Sequence, residues 1–224
     1  MTYALIFLSG LMAVVVWWLV RQTVNVKPWQ AQHASEMASG DGALSEPSVK
    51  VGLGVFLAVA TSLFALLISA YHMRMMGEDW ARLSVPNVLW LNTAVLILAS
   101  VAMQWTRGAA RREQLDQVKT GMIAAGAFSF AFLVGQLWAW QQMVAAGYFL
   151  AVNPAYSFFF LLTAVHGLHL LGGLWVWART TRKVLRGGAE PGPIRLSVEL
   201  CTVYWHYLLV VWVVLFAVLL HAHD

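Results

Sequence analysis

The run 51–71, "VGLGVFLAVATSLFALLISAY", carries no charged side chain over twenty-one residues. At about 1.5 Å of rise per residue, such a run spans the roughly 30 Å hydrocarbon layer of a bilayer as a single helix. Five other windows, 3–20, 86–105, 120–143, 155–178 and 199–221, are similarly apolar and are bounded by charged residues or Pro/Gly breaks. With 60% of its 224 residues hydrophobic and only 11% charged, the chain has more apolar surface than one soluble core of this length can bury. The expected fold is an all-α integral membrane protein, a bundle of six transmembrane helices.

The basic residues report orientation. Connections after the first, third and fifth windows hold three, four and five Lys or Arg, the one after the second holds two, and the remaining segments hold none. By the positive-inside rule the three rich connections face the cytoplasm, which puts both the N and C termini outside, on the periplasmic side. Residues 1–26 read as an N-terminal transmembrane anchor helix, because no positive charge precedes the apolar run and no small-x-small cleavage site follows it. Residues 27–49, rich in Ser, Gly, Ala and acids, read as a cytoplasmic linker, and residues 50–224 as a five-helix bundle. The net charge of +4 lies at window ends and in no aromatic-interleaved patch, so no nucleic-acid partner is expected. The single cysteine, Cys201, offers neither a disulfide framework nor a thiolate metal site.

Polar side chains inside a bilayer are costly unless they face protein, so each invites an explanation. In the fifth window Thr163, His166, His169 and Gly173 recur at steps of three and four, which places them on one helix face. In the sixth, Glu199, Thr202 and His206 do the same. His169 and His206 lie on the order of 10–13 Å above the inner ends of their helices. The two stripes are therefore expected to meet in an interhelical polar cluster of Thr163, His166, His169, Glu199, Thr202 and His206. Gly173 on the same stripe lets a neighbouring helix come close.

Two other readings use the same residues. A pair of histidines at matching depth, His169 and His206, can clamp a haem and make the chain a b-type electron carrier. The histidines with Glu199 can alternatively relay protons or bind a metal. The haem reading lacks the glycines such carriers use on both ligand helices, and no HExxH or Cys/His tract supports a metal. There is no nucleotide-binding loop, nucleophile with a base, redox cysteine pair or inverted repeat. No catalytic, cofactor-binding or metal-binding residue is expected on this chain.

The segments "AYSFFFLLTAVHGLHLLGG" and "VYWHYLLVVWVVLF" resemble the last two helices of subunit III of haem-copper terminal oxidases. The pattern is carried by Tyr156, Phe158, Thr163, His166, Gly167, His169, Gly172, Tyr204, Trp205, His206, Tyr207 and Trp212. "LWLNTAVLILAS", with Asn92 and Thr93, resembles the family's Leu-Asn-Thr helix, and "FLVGQLWAW", with Gln136 and Trp138, the helix bearing a glutamine and a tryptophan. The resemblance covers residues 51–222 in order.

The resemblance implies a non-catalytic accessory subunit of a respiratory oxidase that reduces O2 to water, held in the bacterial inner membrane as a multi-pass protein. It implies catalytic subunit I and other oxidase subunits as partners, and haem and copper on those partners with none on this chain. It further implies bound phospholipid and support of proton uptake; the basic residues Arg179, Arg182 and Lys183 after the fifth window offer a cytoplasmic surface for anionic lipid headgroups or a partner subunit. Quinol oxidase third subunits and a nitric oxide reductase accessory protein share these motifs. The chain departs from the pattern at Ala60, where the family often has a glutamate, at Leu209, near the position of a common aspartate, and in having one window before the common five where longer members have two helices.

Overall fold

The computed structural model describes residue 17 and residues 46–77, 79–80, 86–150, 152–186 and 191–221. Among the described residues five long helices stand out: α1 (Glu46–Met75), α2 (Val88–Arg111), α3 (Leu115–Ala145), α4 (Pro154–Arg186) and α5 (Pro191–His221). All five are long and apolar enough to cross a membrane. The expectation of six crossing helices is therefore corrected to five among the described residues. Five candidate crossings give no support to placing both termini outside. The window 3–20 lies outside the described residues apart from Trp17. Counting apolar windows measures what composition permits and does not show which segments cross.

Contacts divide the chain into residues 1–65 and 66–224. Apart from Trp17, the described part of the first unit is the opening of α1, where Leu57, Ala60, Thr61, Phe64 and Ala65 are buried at helical spacing. Ala60, the position of the departure noted above, is one of these buried residues.

In the second unit α2 packs on α3 and α5, and α4 packs on α3 and α5, so the four helices close a ring. The α2–α3 contact is the most extensive. A three-residue connection makes it so: Arg112 and Gln114 both donate backbone N–H to Ala109 O at 3.1 Å, and Glu113 turns the chain with φ 58°. The side chain of Glu113 is tolerated there because single residues in the left-handed region are affordable in a tight helix hairpin. Buried positions on α2 run Leu89, Asn92, Leu96, Ala99, Met103 and Thr106, and on α3 Met122, Ala125, Ser129, Phe132, Gln136 and Ala139. Both follow steps of three and four, a stripe facing inward.

The helices outrun the apolar windows at their charged ends. α4 continues to Arg186 and α5 starts at Pro191, eight residues before its window. Basic residues extend a helix into the headgroup layer without breaking it, and proline is at home in a first turn, where its missing N–H has no partner to lose. At the start of α4, Asn153 Oδ1 accepts the Ala155 N–H at 2.9 Å and Pro154 follows as the first helical residue. α3 ends in a reversed turn at Gly147, φ 87°, with Tyr148 N–H bonded to Met143 O at 3.0 Å.

Candidate functional site

The polar side chains of the bundle form interhelical joins, built mainly from α5 outward. On the α5 face toward α2 they descend as a ladder. Trp212 Nε1 donates to Thr93 Oγ1 at 3.0 Å. His206 Nδ1 accepts from the Ser100 hydroxyl, and His206 Nε2 donates to Gln104 Oε1 at 3.1 Å. Thr202 shares its hydroxyl proton between Val198 O at 2.8 Å and Met103 O at 3.2 Å. Glu199 pairs with Arg107 and lies 3.7 Å from Arg111. Each descent along α2 is matched by a near-equal climb along α5, which is the register of two antiparallel helices in continuous contact. Glu199 and Arg107 sit at the end of the bundle where the basic residues gather, hereafter the basic end.

Two further joins cross the ring. Trp205 Nε1 donates to Ser129 Oγ on α3 at 2.9 Å, and Ser129 passes its own proton to Ala125 O at 2.7 Å. Tyr204 OH donates to His169 O on α4 at 2.8 Å, and its ring occupies the space over Gly173, where a Cβ would come within 2.5 Å of Tyr204 Cε1. Between α3 and α4, Trp140 Nε1 donates to Thr163 Oγ1 at 3.0 Å and Trp177 Nε1 to Met122 O at 3.0 Å. Between α2 and α3, the Asn92 amide makes long contacts to Phe132 O at 3.5 Å and Gln136 Oε1 at 3.4 Å, and Gly121 admits the Thr106 hydroxyl. Indole and phenol donors thus supply five of these cross-helix bonds. They carry a polar hydrogen at the end of a large apolar body and can be buried without stranding a charge.

The sequence-predicted residues do not come together as one cluster. Glu199, Thr202 and His206 face α2, while Thr163 faces α3 through Trp140. His169 Nδ1 bonds Val165 O of its own helix at 2.8 Å. His166, fully buried, lies against Trp212 with ring centroids 5.2 Å apart and meets Phe132 edge-on at 5.8 Å. Tyr156 packs on Tyr148 at 4.7 Å. Gly167 lies 4.0 Å, measured from an added Cβ, from Leu133, and Gly172 faces open space. Arg179, Arg182 and Lys183 are exposed at the basic end of α4, with Arg179 stacked 3.6 Å over the Trp175 ring.

Sequence reasoning missed Ser100, Gln104 and Arg107 as the partners of α5. The available signal was that Asn92, Ser100, Met103 and Arg107 recur on α2 at steps of three, four and eight. The pairing also makes a prediction. A double-mutant cycle of His206→Leu and Ser100→Ala yields a coupling of about 0.6–1.5 kcal/mol in reversible unfolding in mixed micelles. Additivity of the two changes would show that the join contributes nothing.

At the opposite end Arg74 clamps Asp79 with two hydrogen bonds, one of 2.7 Å, and Asn153 Nδ2 donates to Asp79 O at 2.7 Å. The Arg74 guanidinium holds the Asp79 carboxyl below its ordinary value of 3.8. A depressed carboxylate contributes its pairing above the ordinary range and loses it as pH falls through the lowered value. Carboxyl NMR of labelled protein is expected to show Asp79 titrating below the ordinary carboxylate range, and Arg74→Gln to return it there. An unchanged titration in Arg74→Gln contradicts the assignment.

Helices of this length, joined by buried indoles, hydroxyls and histidines, define a multi-pass helical membrane protein. The family described as Cytochrome c oxidase subunit III matches residues 1–222, and the chain belongs to that family. It is similar to the cytochrome c oxidase subunit 3 of Thermostichus vulcanus, 28% identical over 187 residues that cover 80% of this chain and 90% of that protein. The corresponding protein of Corynebacterium diphtheriae is 30% identical over 183 residues, covering 78% and 88%. A probable quinol oxidase subunit 3 of Staphylococcus saprophyticus is 28% identical over 178 residues, covering 75% and 85%. The chain is thus an accessory subunit III of a respiratory oxidase, a multi-pass protein of a bacterial membrane that forms a complex with other oxidase subunits.

Proposed function

We propose that the chain holds no redox group of its own and serves the oxidase by packing against its catalytic subunit I, where the haem and copper reside. The observation that supports this most directly is the use made of His206. An axial haem ligand needs a free ring nitrogen, and both nitrogens of His206 are taken by side chains of α2. A bis-histidine site thus lacks its second ligand, and the electron pathway is left to the partner subunits. Relatives named for cytochrome c and for quinol oxidases have comparable similarity, so the electron donor is selected elsewhere in the complex.

Phospholipid fits the same reading. Arg179, Arg182 and Lys183 offer exposed charge at the basic end, beside the interfacial ring of Trp175. A lipid-coated bundle held against subunit I supports proton uptake there by stabilising the packing of that subunit. Co-purification tests the reading. A tagged copy extracted in mild detergent is expected to bring out polypeptides carrying haem and copper, with pigment leaving when the complex is dissociated. Pigment that stays with the tagged chain after dissociation contradicts it.

A further inference from the structure

The last turn of α1 and the residue after it read His72, Met73, Arg74, Met75, Met76. Three of the nine methionines of the chain thus fall within four positions. Their surroundings set them apart from the other described methionines. Met103, Met122 and Met143 are fully buried among the helices, whereas Met73 and Met76 are 63% and 67% exposed. Filling of irregular core space accounts for the buried three. It does not account for thioethers gathered in the open beside an imidazole.

The imidazole is oriented as a metal ligand is. His72 Nδ1 lies 2.9 Å from Ile68 O, one turn back on the same helix. A carbonyl oxygen only accepts, so Nδ1 carries the proton and the lone pair of the neutral ring is on Nε2. Nε2 makes no hydrogen bond among the described residues. Metal-binding histidines are held in this way, with the nitrogen away from the metal donating to a carbonyl or carboxylate. Met76 follows His72 by four residues, a spacing that sets Cβ atoms about 5–6 Å apart on one side of a helix. Met73 and Met75 flank that line, and each has three rotatable bonds with which to bring its sulfur to an ion held by the other two. Arg74, the one cation in the run, is compensated by its pairing with Asp79. The type of donor then selects the ion. Thioether sulfur is soft and suits Cu(I), while magnesium and calcium require oxygen.

We propose that His72 Nε2, the Met76 sulfur and a flanking sulfur of Met73 or Met75 bind a Cu(I) ion at the end of the bundle opposite the basic residues. Open sulfurs allow exchange, so the ion is cargo in passage and not a resident redox centre, and a filled-shell Cu(I) ion leaves the chain colourless. The binding chemistry is independent of the accessory-subunit reading. Its use, copper held beside subunits that require copper, rests on that reading.

The full chain in detergent micelles, carrying isotope-labelled methionine methyl groups, is titrated with Cu(I) under ascorbate. The methyl signals of Met73, Met75 and Met76 are expected to move while those of Met103, Met122 and Met143 stay, and Zn(II) is expected to move none of them. About one equivalent of Cu(I) per chain is expected to resist a chromogenic Cu(I) chelator. Loss of a ligand costs at least as much as loss of a ligand's hydrogen-bond partner, so Met76→Leu is expected to lower Cu(I) affinity about tenfold or more. Leucine conserves the volume of methionine at an exposed position, and the methyl titration of the natural chain does not depend on that variant folding. No retention of Cu(I) by the natural chain, unmoved signals at positions 73, 75 and 76, or full affinity in Met76→Leu overturns the proposal while the accessory-subunit reading stands. Failure of a tagged natural chain to recover any oxidase subunit overturns that reading and the use proposed for the copper, while a positive titration still establishes the site.

Discussion

Replacing Trp212 with alanine is expected to destabilise the bundle by about 3–5 kcal/mol, the range for a fully buried large-to-small change. Trp212 is completely buried, meets Phe132 edge-on at 4.9 Å and His166 at 5.2 Å, lies parallel to Phe216 at 6.4 Å, and donates to Thr93. It therefore touches α2, α3, α4 and its own helix at one level of the ring. In lipid there is no hydrophobic drive to pull the remaining helices together, so association depends on packing, and an unfilled void is lost packing outright. Unfolding followed by circular dichroism in mixed micelles checks this. A loss below about 1 kcal/mol would mean that the ring is held elsewhere.

The second large effect is expected at Gly126. A Cβ at this position would stand 2.1 Å from Trp177 Cζ2 and 2.5 Å from Cη2. These are atoms of a rigid ring whose Nε1 is fixed to Met122 O, so the indole cannot swing aside without breaking its bond. Gly126→Leu adds overpacking to a lost hydrogen bond, together about 3 kcal/mol or more. Gly126→Ala should fall between this variant and the natural chain. The same unfolding measurement reads both. A leucine variant as stable as the natural chain would show that α3 and α4 do not meet through Trp177.

Helix type was legible from the sequence because a bilayer demands long apolar runs, and windows 51–71, 86–105, 120–143, 155–178 and 199–221 each fall within one observed helix or extend it by only a residue or two. Their ends were less so. Residues 179–198 lie outside the apolar windows, yet Arg179 to Arg186 and Pro191 to Val198 are helical, since charge limits membrane insertion and not helix formation.

The polar joins were legible only in part. Steps of three and four show which residues share a face, as with Glu199, Thr202 and His206. They do not say which neighbour that face meets. Two stripes at matching depth on sequential helices made α4 the natural partner, whereas α5 turns those residues to α2 and gives α4 the Tyr204 hydroxyl. The indole donors were hidden for a different reason. Sequence spacing does not tell where an indole N–H ends, and in the structure each Nε1 of Trp140, Trp177, Trp205 and Trp212 meets an oxygen of another helix.

The claim on which the account depends is that imidazoles within the bundle join helices and bind no iron. The visible spectrum of the separated chain, purified after the oxidase complex is dissociated, tests it most directly. A colourless protein without a Soret band is the predicted result. A Soret band that shifts on reduction, with stoichiometric haem lost in His206→Leu, would contradict it.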